Sequence, residues 1–312
     1  MIYDYIQVFF IQEVDIMRSI RSFLVEMLLK MTKQKLDAKE FMEQRREMNS
    51  IPYEVPTKLK HKYNITKERS LPVDTYVLKS DSQSDHRIVL YLPGGGYVEQ
   101  PLTWHWHFLN QLRKQLHCTV YVPVYPKAPN YQYMDAIESV LMVYQHLLKI
   151  AKPENIVIMG DSAGGGLSLA FAQYLLEQGL PQPKDIILLS PWLDITLSNP
   201  AVLAMIDKEP MLNWDMLVEA GKRYAGETPR SHYLVSPIHG EIKNLGKISL
   251  FIGTHEFFLP DARKFKEKAA RQFVDINYFE YPKMNHVFPV FPIPEAKKAL
   301  GQIVEIINRQ IL

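Results

Sequence analysis

The chain has 312 residues, 47% of them hydrophobic and 22% charged, with a formal net charge of +2. That balance suits a globular α/β protein built on one core with insertions; it offers no Lys/Arg stripe for nucleic acid and no run near the ~18 uncharged apolar residues of a membrane span. One cysteine, Cys118, excludes an intramolecular disulfide framework, and its apolar strand setting makes it a buried, inert thiol.

The amino terminus lacks a basic region followed by an apolar block and a cleavage site, so a cytoplasmic location without stable membrane insertion is expected. Ile6, Phe10, Val14, Met17, Ile20, Leu24, Met27, Leu28 and Met31 recur every three or four residues, the stripe of a long helix. Phe9, Ile11, Ile16, Phe23 and Leu29 widen that surface, and Asp37–Met48 reads as a second helix ended by Asn49 and Pro52. Residues 1–52 then either pack on the body or form a lid that walls a pocket for an acyl chain. Attachment to a membrane surface fits less well, because Asp4, Glu13, Asp15 and Glu26 make the polar face mixed rather than basic.

From Val55 to Leu92 the pattern turns to strands: Leu71–Leu78 alternates, residues 81–85 make a polar turn, and Arg87–Leu92 is a buried run. That run leads into Pro93-Gly94-Gly95-Gly96-Tyr97. Three glycines after a strand let backbone N–H groups converge on a small anion with no side chains in the way. Pro101–Leu116 reads as a helix carrying Trp104, His105, Trp106 and His107. Histidines two apart on a helix diverge by about 200°, so this pair is an aromatic wall or plain packing rather than a metal site. Thr119–Val124 is a strand, the turn YPKAPN follows, and Tyr133–Ile150 is an amphipathic helix. Strands and helices alternating in this way imply parallel pairing with right-handed crossovers.

The stretch Asn155–Gly166, NIVIMGDSAGGG, is the most informative. Ile156–Met159 is a continuous apolar run of a strand buried on both faces, and helix resumes over Leu167–Leu176. Between them lies Gly160-Asp161-Ser162-Ala163-Gly164, a G-x-S-x-G nucleophile elbow with Ser162 at the apex and a helix amino terminus beneath it. The flanking glycines avoid a Cβ that would crowd strand and helix. The glycine triplet lies about 65 residues upstream, where an oxyanion loop must be to face such a serine.

Asp185–Ser190 is the next strand, and Ile195–Pro237 breaks the alternation with helical pieces around Pro210–Tyr224. An insertion at that point, residues 195–237, reads as a cap over the site, leaving 53–194 and 238–312 as the catalytic domain. Strands at Ile248–Ile252 and Asp275–Tyr281, and helices from about Asp261 to Phe273 and from Glu295 onward, complete the chain.

A nucleophilic serine needs a base, and the base an orienting carboxylate. Of the ten histidines, only His286 lies in a turn after the final strand; His239 and His255 are the less easily dismissed others. Glu256 sits in the loop after Ile248–Ile252, within reach of an imidazole. Asp261, the alternative acid, follows Pro260 and reads as a first-turn helix residue.

GDSAGG at Gly160–Gly165, the upstream glycine triplet and the late acid and histidine together resemble the hormone-sensitive-lipase-like branch of the α/β-hydrolases, from about Ile88 to the carboxyl end. The resemblance implies a serine carboxylesterase with a mostly parallel sheet flanked by helices, and a helical cap built partly from the amino terminus. It carries the oxyanion donors onto Gly95, Gly96 and Ala163, the acid onto Glu256 and the base onto His286. YPKAPN also resembles a tyrosine–arginine–leucine–alanine–proline–glutamate stretch of that family. Two departures stand out: Pro93 replaces the histidine opening the family's HGGG loop, and Glu256 stands where aspartate is usual.

The expected chemistry is hydrolysis of a small-molecule acyl ester of short to medium chain through an acyl-enzyme, with no metal or organic cofactor. A non-catalytic small-molecule binder on the same fold, and an amidase or acyltransferase with the same triad, are the alternatives; a homodimer is left open.

Overall fold

Ile88–Leu92, Ile156–Asp161 and Asp185–Leu189 bury every side chain, which only a sheet covered on both faces permits. The computed structural model describes residues 18–33, 37–82 and 87–309. Its strands are β1 (Ile65–Glu68), β2 (Thr75–Leu78), β3 (Ile88–Leu92), β4 (Thr119–Pro123), β5 (Ile156–Asp161), β6 (Asp185–Leu189), β7 (Lys247–His255) and β8 (Asn277–Asn285). They form one sheet in the order β1-β2-β4-β3-β5-β6-β7-β8. The β1–β2 and β2–β4 pairs are antiparallel and all others parallel.

The helices are α1 (Ile20–Thr32), α2 (Ala38–Asn49), α3 (Thr57–Tyr63), α4 (Thr103–Leu116), α5 (Tyr133–Ile150), α6 (Ser162–Glu177), α7 (Trp214–Ala225), α8 (Leu259–Arg271) and α9 (Pro294–Asn308). The period-two alternation of each strand sorts the core into two clusters. The register row Leu90–Ile158–Ile186–Ile248 packs with residues of α5, α6 and α8 on one face. Tyr91, Met159 and Ile187, one register step on, pack with α4 and α9 on the other. This is the α/β-hydrolase architecture expected, with the three crossovers from β3 to β6 carrying α4, α5 and α6.

Three local expectations are corrected. The stretch read as strand from Val55 contains helix α3, which buries only Leu59 and so leaves almost no periodicity to read. The strand anticipated over Leu71–Leu78 begins at Thr75, Pro72 lacking a ladder donor, and an additional strand, β1, precedes it. Helix α6 starts at Ser162 rather than Leu167. Glycine is a poor helix former, yet the run is helical because nothing larger fits: a Cβ on Gly164 would lie 1.9 Å from the Leu92 carbonyl oxygen, and one on Gly166 2.2 Å from that of Trp192.

The amino-terminal stripe is the largest difference. Ile6, Phe10, Val14 and Met17 lie outside the described residues. Ile20, Leu24, Met27, Leu28 and Met31 fall on α1, but they face outward instead of packing on the body. The inward residues include Ser22 and Glu26. α1 is held by polar contacts: the Ser19 N–H and hydroxyl donate to Glu295 at 2.6 and 3.0 Å, and Glu26 pairs with Arg18, Lys30 and His255. α2 behaves conventionally, with Asp37 as N-cap and Phe41 and Met42 buried in the cluster that holds Met216 and Leu217 of α7. Among the described residues no helix is long and apolar enough to cross a membrane.

Candidate active site

Ser162 is the first residue of α6 and directly follows the last residue of β5, so the chain must reverse within one residue. It does so with φ +53° at Ser162, a left-handed conformation costing a non-glycine residue about 1–3 kcal/mol. The surroundings hold it there: the Trp192 N–H donates to the Ser162 carbonyl at 2.9 Å, and a Cβ on Gly160 would lie 2.3 Å from the Gly164 carbonyl oxygen. The turn leaves the hydroxyl at the strand's carboxyl end, where the buried Ser162 lines a cavity of about 320 Å3.

His286 follows directly on β8, and Glu256 on β7, neighbouring parallel strands whose carboxyl ends lie together. His286 Nε2 is 2.8 Å from Ser162 Oγ, and His286 Nδ1 is 2.8 Å from Glu256 Oε2. A carboxylate only accepts, so Nδ1 carries the hydrogen and donates to Glu256, and Nε2 is left to accept from the serine hydroxyl. The other Glu256 oxygen accepts from the Gly253 N–H at 2.7 Å and from the Ser190 hydroxyl at 2.8 Å. Ser190 in turn accepts the Val287 N–H at 3.0 Å. One serine at the end of β6 thus ties the acid to the residue after the histidine. Burial by itself favours the neutral His286 ring, but the Glu256 hydrogen bond and charge, with Glu209 and Asp161, outweigh it and raise its pKa above the ordinary 6.5.

The glycine loop is fixed to the elbow by Asp161. Its Oδ1 accepts the Gly94 N–H at 2.9 Å and the Tyr91 hydroxyl at 2.6 Å, and its Oδ2 lies 3.2 Å from His105 Nε2. Burial alone would raise the Asp161 carboxyl; His105, Tyr91 and the Gly94 N–H hold it below the usual range. The Tyr125 hydroxyl donates to the Pro93 carbonyl at 2.7 Å, so the turn YPKAPN supports the loop from the other side. Gly95 and Gly96, with φ +117° and +60°, line the cavity with Ser162 and His286. Ala163 is the second residue of α6.

The remaining sequence candidates lie elsewhere. Asp261 accepts from the Asn199 side chain at 2.9 Å and is pushed up to about 6 by burial; it is not the partner of His286. His239 approaches Asp194 at 3.9 Å, and His255 faces Glu26 at 3.2 Å. His105 and His107 diverge, to Asp161 and to the Tyr63 hydroxyl respectively. Among the described residues no group of three His, Cys, Asp or Glu could hold a metal ion.

Three residues of the site carry no motif. Ser190 and His105 are two. The third is Glu209, buried in the segment between β6 and α7: its Oε2 accepts the Phe257 N–H at 3.1 Å, its Oε1 those of Met211 and Leu212 at 2.7 and 2.9 Å. Burial raises its carboxyl despite the nearby His286 and these N–H groups. A glutamate before Pro210 in a segment without strands was the only available signal. The cavity wall comes from Leu29 of α1, Phe41 of α2, Met216 and Leu217 of α7, and Trp104, Val290 and Phe291.

A family description of the alpha/beta hydrolase fold matches residues 89–290. An esterase of Acinetobacter venetianus is 31% identical over 227 residues, 70% of this chain and 74% of that one. An acetyl-hydrolase of Streptomyces hygroscopicus is 30% identical over 224 residues, with 70% and 74% covered. Among solved structures, a Staphylococcus aureus protein superposes with TM-score 0.84 at 31% identity, over 91% of this chain and 96% of that one. An esterase from the bacterial hormone-sensitive lipase family gives TM-score 0.80 at 26%, over 95% and 100%. The chain belongs to the α/β-hydrolase family. Its class is that of the carboxylic ester hydrolases.

Proposed function

We propose that the chain is a serine carboxylesterase that hydrolyses short- to medium-chain acyl esters through an acyl-enzyme, with Ser162 as nucleophile, His286 as base and Glu256 as orienting acid. The observation that carries this reading is the unbroken line of two 2.8 Å contacts from Glu256 through His286 to the Ser162 hydroxyl. His286 Nε2 takes the hydroxyl proton as Oγ attacks the ester carbonyl, and Glu256 stabilises the imidazolium formed. The N–H groups of Gly95, Gly96 and Ala163 receive the oxyanion. His286 then protonates the leaving alcohol, and water repeats the sequence on the acyl-enzyme.

Pro93 removes the family's histidine from the start of the loop, and the anchoring by Asp161 and Tyr125 supports an intact oxyanion hole without it. The added methylene of Glu256 is taken up by its position immediately after β7, with both carboxylate oxygens engaged. A cavity of about 320 Å3 walled by α1, α2 and α7 supports a modest acyl chain and the reading of residues 1–52 and 195–237 as cap. A cytoplasmic location belongs to the same reading.

Turnover of p-nitrophenyl butyrate and labelling by a fluorophosphonate test it together. Ser162→Ala should lose both, with an unchanged circular dichroism spectrum. Turnover unchanged in that variant, or a parent protein that neither labels nor turns over any ester from acetate to palmitate, would remove the reading.

A further inference from the structure

At about 100° per residue, Ile20, Phe23, Leu24, Met27, Leu28 and Met31 of α1 fall within one arc of about 140°. All six are between 46% and 79% exposed. The side turned inward is mixed: Ser22 and Glu26 are buried there, Val25 packs against the core and Leu29 lines the cavity. There Arg18, Lys30 and His255 surround Glu26 at 2.5, 2.9 and 3.2 Å. The most apolar arc of α1 is thus its outward one, unlike that of a helix whose outer face meets water.

The charges at the margins say what meets that face. Arg21, exposed, borders the apolar arc on one side; Lys30, on the other, is half exposed and reaches back to Glu26. Glu26 is the one acid of α1, and it is withdrawn, so every charge α1 shows outward is positive. The mixed polar face expected from sequence counted Glu26 as outward, with Asp4, Glu13 and Asp15, which lie outside the described residues. Arg21 also opens onto a cleft of about 800 Å3 whose other fully charged lining groups are Lys62, Lys114 and Lys297, with no carboxylate among the described residues. Trp104, 43% exposed, stands at its wall. An apolar ridge with cationic edges and an aromatic beside it matches the headgroup–acyl boundary of an anionic bilayer. A second copy of the chain does not match: a self-complementary contact through this face would set its cations against the same cations.

We infer that α1 docks the protein on the surface of an anionic lipid bilayer, its six outward apolar side chains entering the headgroup boundary while Arg21 and the lysines of the adjoining cleft meet lipid anions. The contact is peripheral, since thirteen residues of helix cannot span. Leu29 of the same helix lines the cavity at Ser162, so docking brings the pocket wall to the surface.

The test is co-sedimentation of the full chain with vesicles of phosphatidylcholine alone or with about 30 mol% phosphatidylserine at low salt. The expected result is pelleting with the anionic vesicles, weakened by high salt. Arg21→Gln should weaken that binding roughly fivefold, the worth of one cation at such a surface. The double variant Leu24→Gln, Leu28→Gln should lose it by about tenfold or more while keeping its thermal midpoint and its turnover of p-nitrophenyl acetate. Ser162→Ala should pellet like the parent, which keeps this inference separate from the catalytic one. A full chain that stays in the supernatant with anionic vesicles overturns the inference, as does a double variant that pellets like the parent. Light scattering that shows a dimer dissolved by the double variant, with no vesicle binding, would assign the face to a second copy instead.

Discussion

His255 and Glu256 are neighbours in the chain, and each belongs to a carboxylate–imidazole pair with a different fate. His255 meets Glu26 at 3.2 Å at the edge of the body; Glu256 meets His286 at 2.8 Å in its interior. The first pair is a latch. Glu26 already has Arg18 and Lys30, so its charge is spent on holding α1, and among the described residues no nucleophile is hydrogen-bonded to the His255 ring. The second is a working pair, because among the described residues Glu256 has no cationic partner but His286, and the far nitrogen of His286 faces a serine hydroxyl. What separates them is not residue type but burial and the third partner.

Substitutions that neutralise one acid at a time should break the likeness. Glu256→Gln leaves an amide that can donate to His286 and favour the wrong tautomer; kcat for p-nitrophenyl butyrate should fall by about 10³–10⁴, read by steady-state kinetics. Ser190→Ala removes one of the two donors to one oxygen of Glu256 and orphans the Val287 N–H, a loss of about 1–3 kcal/mol in positioning, and kcat should fall roughly tenfold or more with KM little changed.

The acidic limb of kcat/KM sharpens the same contrast. Only the neutral His286 ring accepts the serine proton, and its pKa is raised, so activity should fall with decreasing pH through a midpoint above 6.5. Glu209→Gln removes one of the charges favouring the imidazolium and should move that midpoint toward acid, a readout that loosening alone would not give. The linked stability has the opposite sense. Charged His286 contributes to folding fully below pH 6.5, and that contribution is lost as pH rises through the raised value.

Glu26→Gln should have the smallest effect on chemistry, with kcat within about twofold of the parent and the thermal midpoint lower by a few degrees, measured by calorimetry. A large loss of kcat there would mean that the latch reaches the chemistry through His255, and the comparison would fail.

Much of this was legible along the chain. Buried strands announced themselves as unbroken apolar runs, and G-x-S-x-G, the glycine triplet and a histidine after the last strand marked their own places, because strained backbone and close approach admit few residue types. Ser190, Glu209 and His105 were not legible. Each is an ordinary polar residue whose role comes from what folds against it: Ser190 from the neighbouring β7, Glu209 from the chain between β6 and α7, His105 from α4 crossing the elbow. Asp261 and Glu256, five residues apart, could be ranked from sequence but not separated until one was seen to face Asn199 and the other His286.

The buried central strands, the elbow, the loop and the residues able to react could be read from sequence alone, since period, glycine sterics and side-chain chemistry are local properties. Only the tertiary structure decided which acid meets which histidine, and which way α1 turns. A helical stripe states that a helix has two faces; the partners of Glu26, drawn from α1, from Arg18 before it and from the end of β7, turn the side that carries Glu26 inward.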